Sequence, residues 1–246
     1  MKFFRNDLTK IVVASLIFPA VLFLFPLVIH VHKASATSLW QAAADLVIFL
    51  IALGLNYFYF KQRVSWFNDR NLFEQLMTAM PAIIIIGLLD YPVLFEADFQ
   101  VKIRAIVICL LVGLAEEYVF RGLLIALFLK LTQNRAFLTV VVSSLIFGLI
   151  HVTNLKALPI GYVSVQVIFA AAIGILFGTI YLKTKNLTLV IVLHALRDMF
   201  PMFSNKLMGQ MGQTQFSMAI LYIMVIFLLI TLVIARSQLK NFVVKK

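Results

Sequence analysis

Residues 161–182 read GYVSVQVIFAAAIGILFGTIYL, an unbroken run of twenty-two without a charged side chain. A bilayer core asks for about 20 such residues in one spanning helix. Uncharged runs at 11–29, 46–60, 105–115, 123–129, 136–150 and 218–235 repeat the pattern along the chain. Over 246 residues the composition is 63% hydrophobic and 13% charged, well beyond the roughly 45–50% apolar content of soluble domains. The reading is an all-α, polytopic membrane bundle of about eight helices: 11–31, 40–60, 76–95, 105–129, 136–152, 160–182, 187–201 and 217–235. The third span is interrupted by Pro81, Asp90 and Pro92, and the fifth and seventh are short, as tilted or partly enclosed helices are.

A net charge of +11 raises the question of a nucleic-acid or anionic-lipid partner. The basic residues answer it by sitting in the short connections, with no basic block interleaved with aromatics. The chain therefore meets membrane lipids and no nucleic acid. Eight spans require these residues to alternate between the two sides. One side holds fourteen, from Lys2, Arg5 and Lys10 through Lys61, Arg63, Arg70, Lys130, Arg135, Lys183 and Lys185 to Arg236, Lys240, Lys245 and Lys246. The other holds five: Lys33, Lys102, Arg104, Lys156 and Lys206. Both termini are thus expected in the cytoplasm, in a multi-pass protein of the cell membrane. Cys109 is the single cysteine and reads as packing, which leaves no disulfide framework and no Cys-based metal cluster. The N-terminal apolar run has signal-peptide features but exceeds a typical 7–15-residue signal core, so it reads as a retained first helix. No linker, low-complexity tract or internal repeat divides the chain, and residues 1–246 are expected to form one transmembrane domain.

Ionisable side chains at mid-membrane cost roughly 2.5–3.5 kcal/mol on insertion scales, so they face a bundle interior or a watery cavity. The fourth span carries Glu116-Glu117-Tyr118-Val119-Phe120-Arg121. Glu117 and Arg121 are one turn apart and form an expected ion pair. Glu116 points about 100° away, without that partner. A carboxylate beside another in a low-dielectric cavity is in the setting that tunes a general base for water, the alternative being a polar cluster that only holds helices together. In the fifth span Ser144, Gly148 and His151 share a face whose small residues permit close helix approach. In the seventh, His194 and Asp198 share a face. Arg197 either belongs to that cluster or snorkels to the interface. Two histidines and several carboxylates suit either a metal such as zinc or metal-free water and oxyanion chemistry. At about 1.5 Å per residue from the nearest inner basic residue, Glu116 lies roughly 21 Å deep, His151 roughly 24 Å, and His194 and Asp198 roughly 14 and 20 Å. Compatible depths on three helices point to a single embedded site.

Three motifs occur in order: Glu116-Glu117-x-x-x-Arg121, Phe147-x-x-x-His151 and His194-x-x-x-Asp198. At these residues the chain resembles the intramembrane proteases of the CAAX prenyl protease and bacteriocin-processing family, also called Abi or type II CAAX endopeptidase-like, over a core of about 105–201. The resemblance implies a bundle around a water-accessible catalytic cavity. It makes Glu116 and His151 the water-activating pair, with Glu117 and Arg121 supporting Glu116. His194 and Asp198 would stabilise the oxyanion or complete a metal site, the metal candidates being Glu116, His151, His194 and Asp198. Family members are commonly labelled metalloproteases, and a glutamate-activated water without metal is also proposed for them. Arg121 would put a cation beside any bound metal, which favours the metal-free version over zinc. Asp198 stands where many relatives have Asn, and a carboxylate donates no hydrogen bond unless protonated, which favours a ligand or orienting role.

The expected function is intramembrane endopeptidase action on a membrane-associated peptide or protein, in CAAX-type processing, peptide maturation or bacteriocin self-immunity. Short loops and compact length look like the bacterial members. The competing classes are a non-catalytic immunity or scaffold protein and a proton-coupled transporter, the latter usually marked by inverted repeats that this sequence lacks.

Overall fold

The computed structural model describes residues 2–29, 39–90, 99–203 and 217–243. Among them the chain is helical and has no strand. The helices are α1 (Lys2–Ile29), α2 (Leu39–Leu55), α3 (Leu72–Asp90), α4 (Phe99–Glu117), α5 (Ile125–Leu131), α6 (Ala136–Ile150), α7 (Ile160–Thr184), α8 (Leu187–Met202) and α9 (Met218–Leu239). A wide π-helical turn, Tyr118–Leu124, joins α4 to α5 in one continuous run, and a second, Asn56–Phe60, extends α2. A tight 3₁₀ turn, His151–Lys156, follows α6.

Among the described residues eight helical bodies overlap the expected spans, with shifted ends. The third begins at Leu72 rather than 76, and residues 91–95 of its expected span, with Pro92, lie outside the described residues. So do Lys33 and Lys206 of the outer connections. Among the described residues five helices are long and apolar enough to cross a membrane: Asn6–Val28, Leu39–Phe60, Ala136–Lys156, Ile160–Thr184 and Met218–Leu239. Leu72–Leu88 is a shorter apolar helix. The run from Phe99 to Leu131 is interrupted by Lys102, Arg104, Glu116, Glu117 and Arg121, and α8 has 16 residues. Charges break the first pattern, and length sets α8 apart.

α7 is the centre of the bundle, with 67% of its most apolar stretch buried against 11% for α9. An almost wholly apolar helix buried on nearly all sides is the usual core of such a bundle, and the exposed Leu, Ile and Phe side chains of α1 and α9 suit lipid contact. Two glycines set the spacing around the site. A β-carbon on Gly148 would lie 2.6 Å from the carbonyl oxygen of Val167 and 3.0 Å from Ala171 Cβ, so α6 reaches α7 only because that carbon is absent. This is the small-residue face expected on the fifth span. One on Gly113 would lie 3.1 Å from the carbonyl oxygen of Ile191, which brings α4 against α8 one turn before His194.

The start of α8 is fixed by the segment between α2 and α3. The backbone N–H groups of Leu187 and Thr188 donate to the carbonyls of Ser65 and Trp66 at 3.1 and 2.9 Å. Asn186 Oδ1 accepts from the Leu189 N–H at 3.1 Å, a helix cap, and its amide donates to Gln75 Oε1 at 2.9 Å. Trp66 then stacks on Tyr118, ring centroids 5.4 Å apart. The helix carrying His194 is thereby tied to the helix carrying the two glutamates.

Candidate active site

The π-helical turn after Glu117 gives the site its shape. In it the Ile125 N–H bonds to the Phe120 carbonyl five residues back, and that carbonyl also accepts from Ser143 Oγ at 3.2 Å. Such turns widen a helix locally and recur at functional positions. Here the turn lies directly behind the paired glutamates.

Glu117 and Arg121 pair as their spacing predicts, Arg121 donating to Glu117 Oε1 at 2.8 Å with both side chains buried. Arg121 is held from three more directions. Its guanidinium lies 4.4 Å over the Phe147 ring and 5.7 Å over the Phe177 ring, and it donates to the Gly174 carbonyl at 3.4 Å. A planar cation between two aromatic faces is a strong packing arrangement in a dry interior. Phe147 therefore orients the arginine as well as preceding His151. Its ring also lies edge-on to His151 and His194, at 5.4 and 6.0 Å.

His194 is the hub. Its Nδ1 donates to Glu117 Oε1 at 2.6 Å, and its Nε2 stands 3.5 Å from Glu116 Oε2 and 3.3 Å from Asp198 Oδ2. With Glu117 already accepting from Arg121, the Nδ1 hydrogen is fixed and Nε2 is the nitrogen aimed at the other two carboxylates. Glu117, paired with Arg121, bonds to His194 on α8, and His194 in turn stands beside Glu116. His151 sits at the end of α6, its Nδ1 bonded to the Phe147 carbonyl at 3.0 Å.

Glu116, His151, His194 and Asp198 all line one cavity of about 560 Å³, whose other walls come from α1, α2, α7 and α9. Glu117 and Arg121 lie behind this wall. Arg197 lines the cavity too, its guanidinium 4.8 Å over the Phe169 ring, so it faces the cluster rather than reaching for the interface. Cys109 is buried and lines the cavity, its thiol 3.6 Å from Met202 Sδ. Sequence reasoning missed Asp45, a buried carboxylate on α2 that lines the same cavity. It stands just before the uncharged run 46–60 and outside the three motifs. The same reasoning missed Asn154 and Gln166, which bond to each other at 2.9 Å on the cavity wall and carry no charge to mark them.

The residue types suit a metal, with Glu116, His151, His194 and Asp198 as the candidate donors on one cavity wall. Among the described residues no three His, Cys, Asp or Glu side chains are grouped to hold an ion. His194 Nε2 stands 3.3 Å from Asp198 Oδ2 and 3.5 Å from Glu116 Oε2 while its Nδ1 is held by Glu117, separations that the donors of one tetrahedral ion also have.

Residues 99–200 match the profile of the Rce1-like family, type II CAAX prenyl endopeptidases. Residues 99–200 carry an Rce1-like domain. It runs from α4 to α8 and so contains all three motifs and every candidate residue except Asp45. The Rce1-like segment belongs to a protease family and is built of apolar helices, which makes the chain a membrane protein with a protease-family core. No curated protein matches the chain.

Proposed function

We propose that this protein is an intramembrane endopeptidase that cleaves peptide bonds of a membrane-associated peptide or protein, using a water activated by Glu116. The observation that carries the reading is His194, held by the buried Arg121–Glu117 pair and aimed at Glu116 and Asp198 on the wall of one cavity. A histidine oriented by a carboxylate behind it is a recurrent device of hydrolytic sites.

In the proposed reaction Glu116 takes a proton from water, and the water oxygen bonds to the carbonyl carbon of the scissile peptide. Negative charge moves to the carbonyl oxygen. His194, with a hydrogen on Nε2, donates to that oxygen, and Asp198, 3.3 Å from Nε2, helps to hold the imidazole in place. His151 Nε2 helps to place the water. The C–N bond then breaks, and Glu116 returns its proton to the leaving nitrogen, which restores the starting state. The side chains of Glu116 and His194 are largely enclosed, so their interactions act in a lower dielectric than water. We further propose that the protein lies in the cell membrane of a bacterium with both termini in the cytoplasm, as the distribution of basic residues supports.

Comparative peptidomics of cells lacking the protein and of cells carrying Glu116→Gln tests the reading and identifies the substrate together. The same uncleaved peptide should accumulate in both. Normal processing in the Glu116→Gln cells, with loss only in the deletion, would favour an immunity or scaffold protein that acts by binding.

A further inference from the structure

The Rce1-like match begins at residue 99, so α2, which also lines the cavity, lies outside it. α2 places Asp45 and Gln41 on the wall. Asp45 is 2% exposed, and its Oδ2 accepts from Gln41 Nε2 at 2.9 Å, one turn earlier. Among the described residues no cation pairs with it. Glu117, the other deeply buried carboxylate of the region, has its own arginine. A carboxylate enclosed in a bundle without a cation is the costly arrangement, and membrane proteins keep such groups where a substrate or ion meets them.

The surroundings say what would meet it. Asp45 lies within electrostatic reach of Asp198 and His194, and of Glu116, so it shares their cavity. Asp45, Glu116 and Asp198 line that cavity with two cationic partners, Arg197 and the doubly protonated His194, and Glu117 is already offset by Arg121. Carboxylates are therefore in surplus. Phe18, Phe169 and Ile173 supply an apolar lining. An apolar cavity with a surplus carboxylate fits an apolar chain bearing one positive charge.

We propose that Asp45, held by Gln41, is a specificity-determining residue that binds a cationic group of the peptide substrate, either a basic side chain or a free amino terminus. This rests on the endopeptidase reading for the nature of the ligand. The carboxylate meets the ammonium or guanidinium while the apolar lining takes the neighbouring side chains. No covalent step is assigned to Asp45.

The test uses the full chain in detergent micelles, with binding read by fluorescence anisotropy on a Glu116→Gln background so that cleavage does not intervene. The probes are labelled apolar octapeptides carrying lysine or norleucine at one position, each with a free or an acetylated amino terminus. With Asp45 in place, one of the two charge contrasts should favour the cationic peptide by about tenfold, the scale of a charge-assisted hydrogen bond. The contrast that responds tells a side chain from an amino terminus. Asp45→Asn should bring that ratio to about one, and Asp45→Glu should keep it. Equal binding of all four peptides with Asp45 in place overturns the proposal without needing any folded variant, and so does an unchanged ratio in Asp45→Asn. Hydrolysis by the unsubstituted protein is followed in parallel. A charge preference without hydrolysis counts against the endopeptidase reading alone.

Discussion

Replacing Glu117 by glutamine removes one charge from the best-buried ion pair among the described residues and leaves nearly everything else in place. Arg121 is 2% exposed at its side chain and Glu117 0%, so bulk water does not screen the pair. The substitution leaves a guanidinium enclosed by Phe147, Phe177 and the Gly174 carbonyl with no counter-charge. Breaking a buried pair from one side costs about 3–5 kcal/mol. Thermal and denaturant unfolding in micelles should show a loss of that size. Replacing both partners by methionine removes the stranded charge and keeps most of the volume, so Glu117→Met with Arg121→Met should recover most of the stability. That double variant should still fail as an enzyme, because His194 Nδ1 then has no acceptor and its ring is no longer aimed. Turnover should fall about a hundredfold or more. A Glu117→Gln protein as stable as the parent would refute the buried-pair argument. A well-folded double variant with full turnover would refute the role assigned to His194.

Gly148→Ala places a β-carbon against backbone atoms of α7 that have no flexible end to move, and overpacking of this kind costs about 1–3 kcal/mol; unfolding temperature and turnover should both drop. Asp198→Asn keeps a hydrogen-bond partner 3.3 Å from His194 Nε2 and should retain turnover to within about tenfold, whereas Asp198→Leu should abolish it; steady-state kinetics separates the two. Prolonged treatment with chelator, checked by metal analysis of the same sample, should leave turnover undiminished, and loss restored by added zinc would restore the metal reading.

Much of this arrangement is legible in the sequence because it is local. Glu117 and Arg121 are one turn apart, and so are His194 and Asp198, and both pairs meet as helical spacing requires. Ser144 and Gly148 mark a close-packing face because small residues do so wherever helices touch. What could not be read is tertiary. The contact between His194 and Glu117 spans 77 residues and depends on Gly113 letting α4 approach α8, which no pattern within either helix specifies. The π-helical turn at Tyr118–Leu124 has the same apolar character as an ordinary helix and leaves no local mark. Asp45 was visible as a charge, but only the packing of α2 against α4 turns it toward the cavity rather than toward the interface.

Turnover by the purified protein in liposomes, with the peptide identified from cells, tests the central claim most directly. The unsubstituted protein should cleave it at one bond, and Glu116→Gln, folded and inserted to the same extent, should show no cleavage above background. Cleavage by Glu116→Gln at the parent rate would contradict the account.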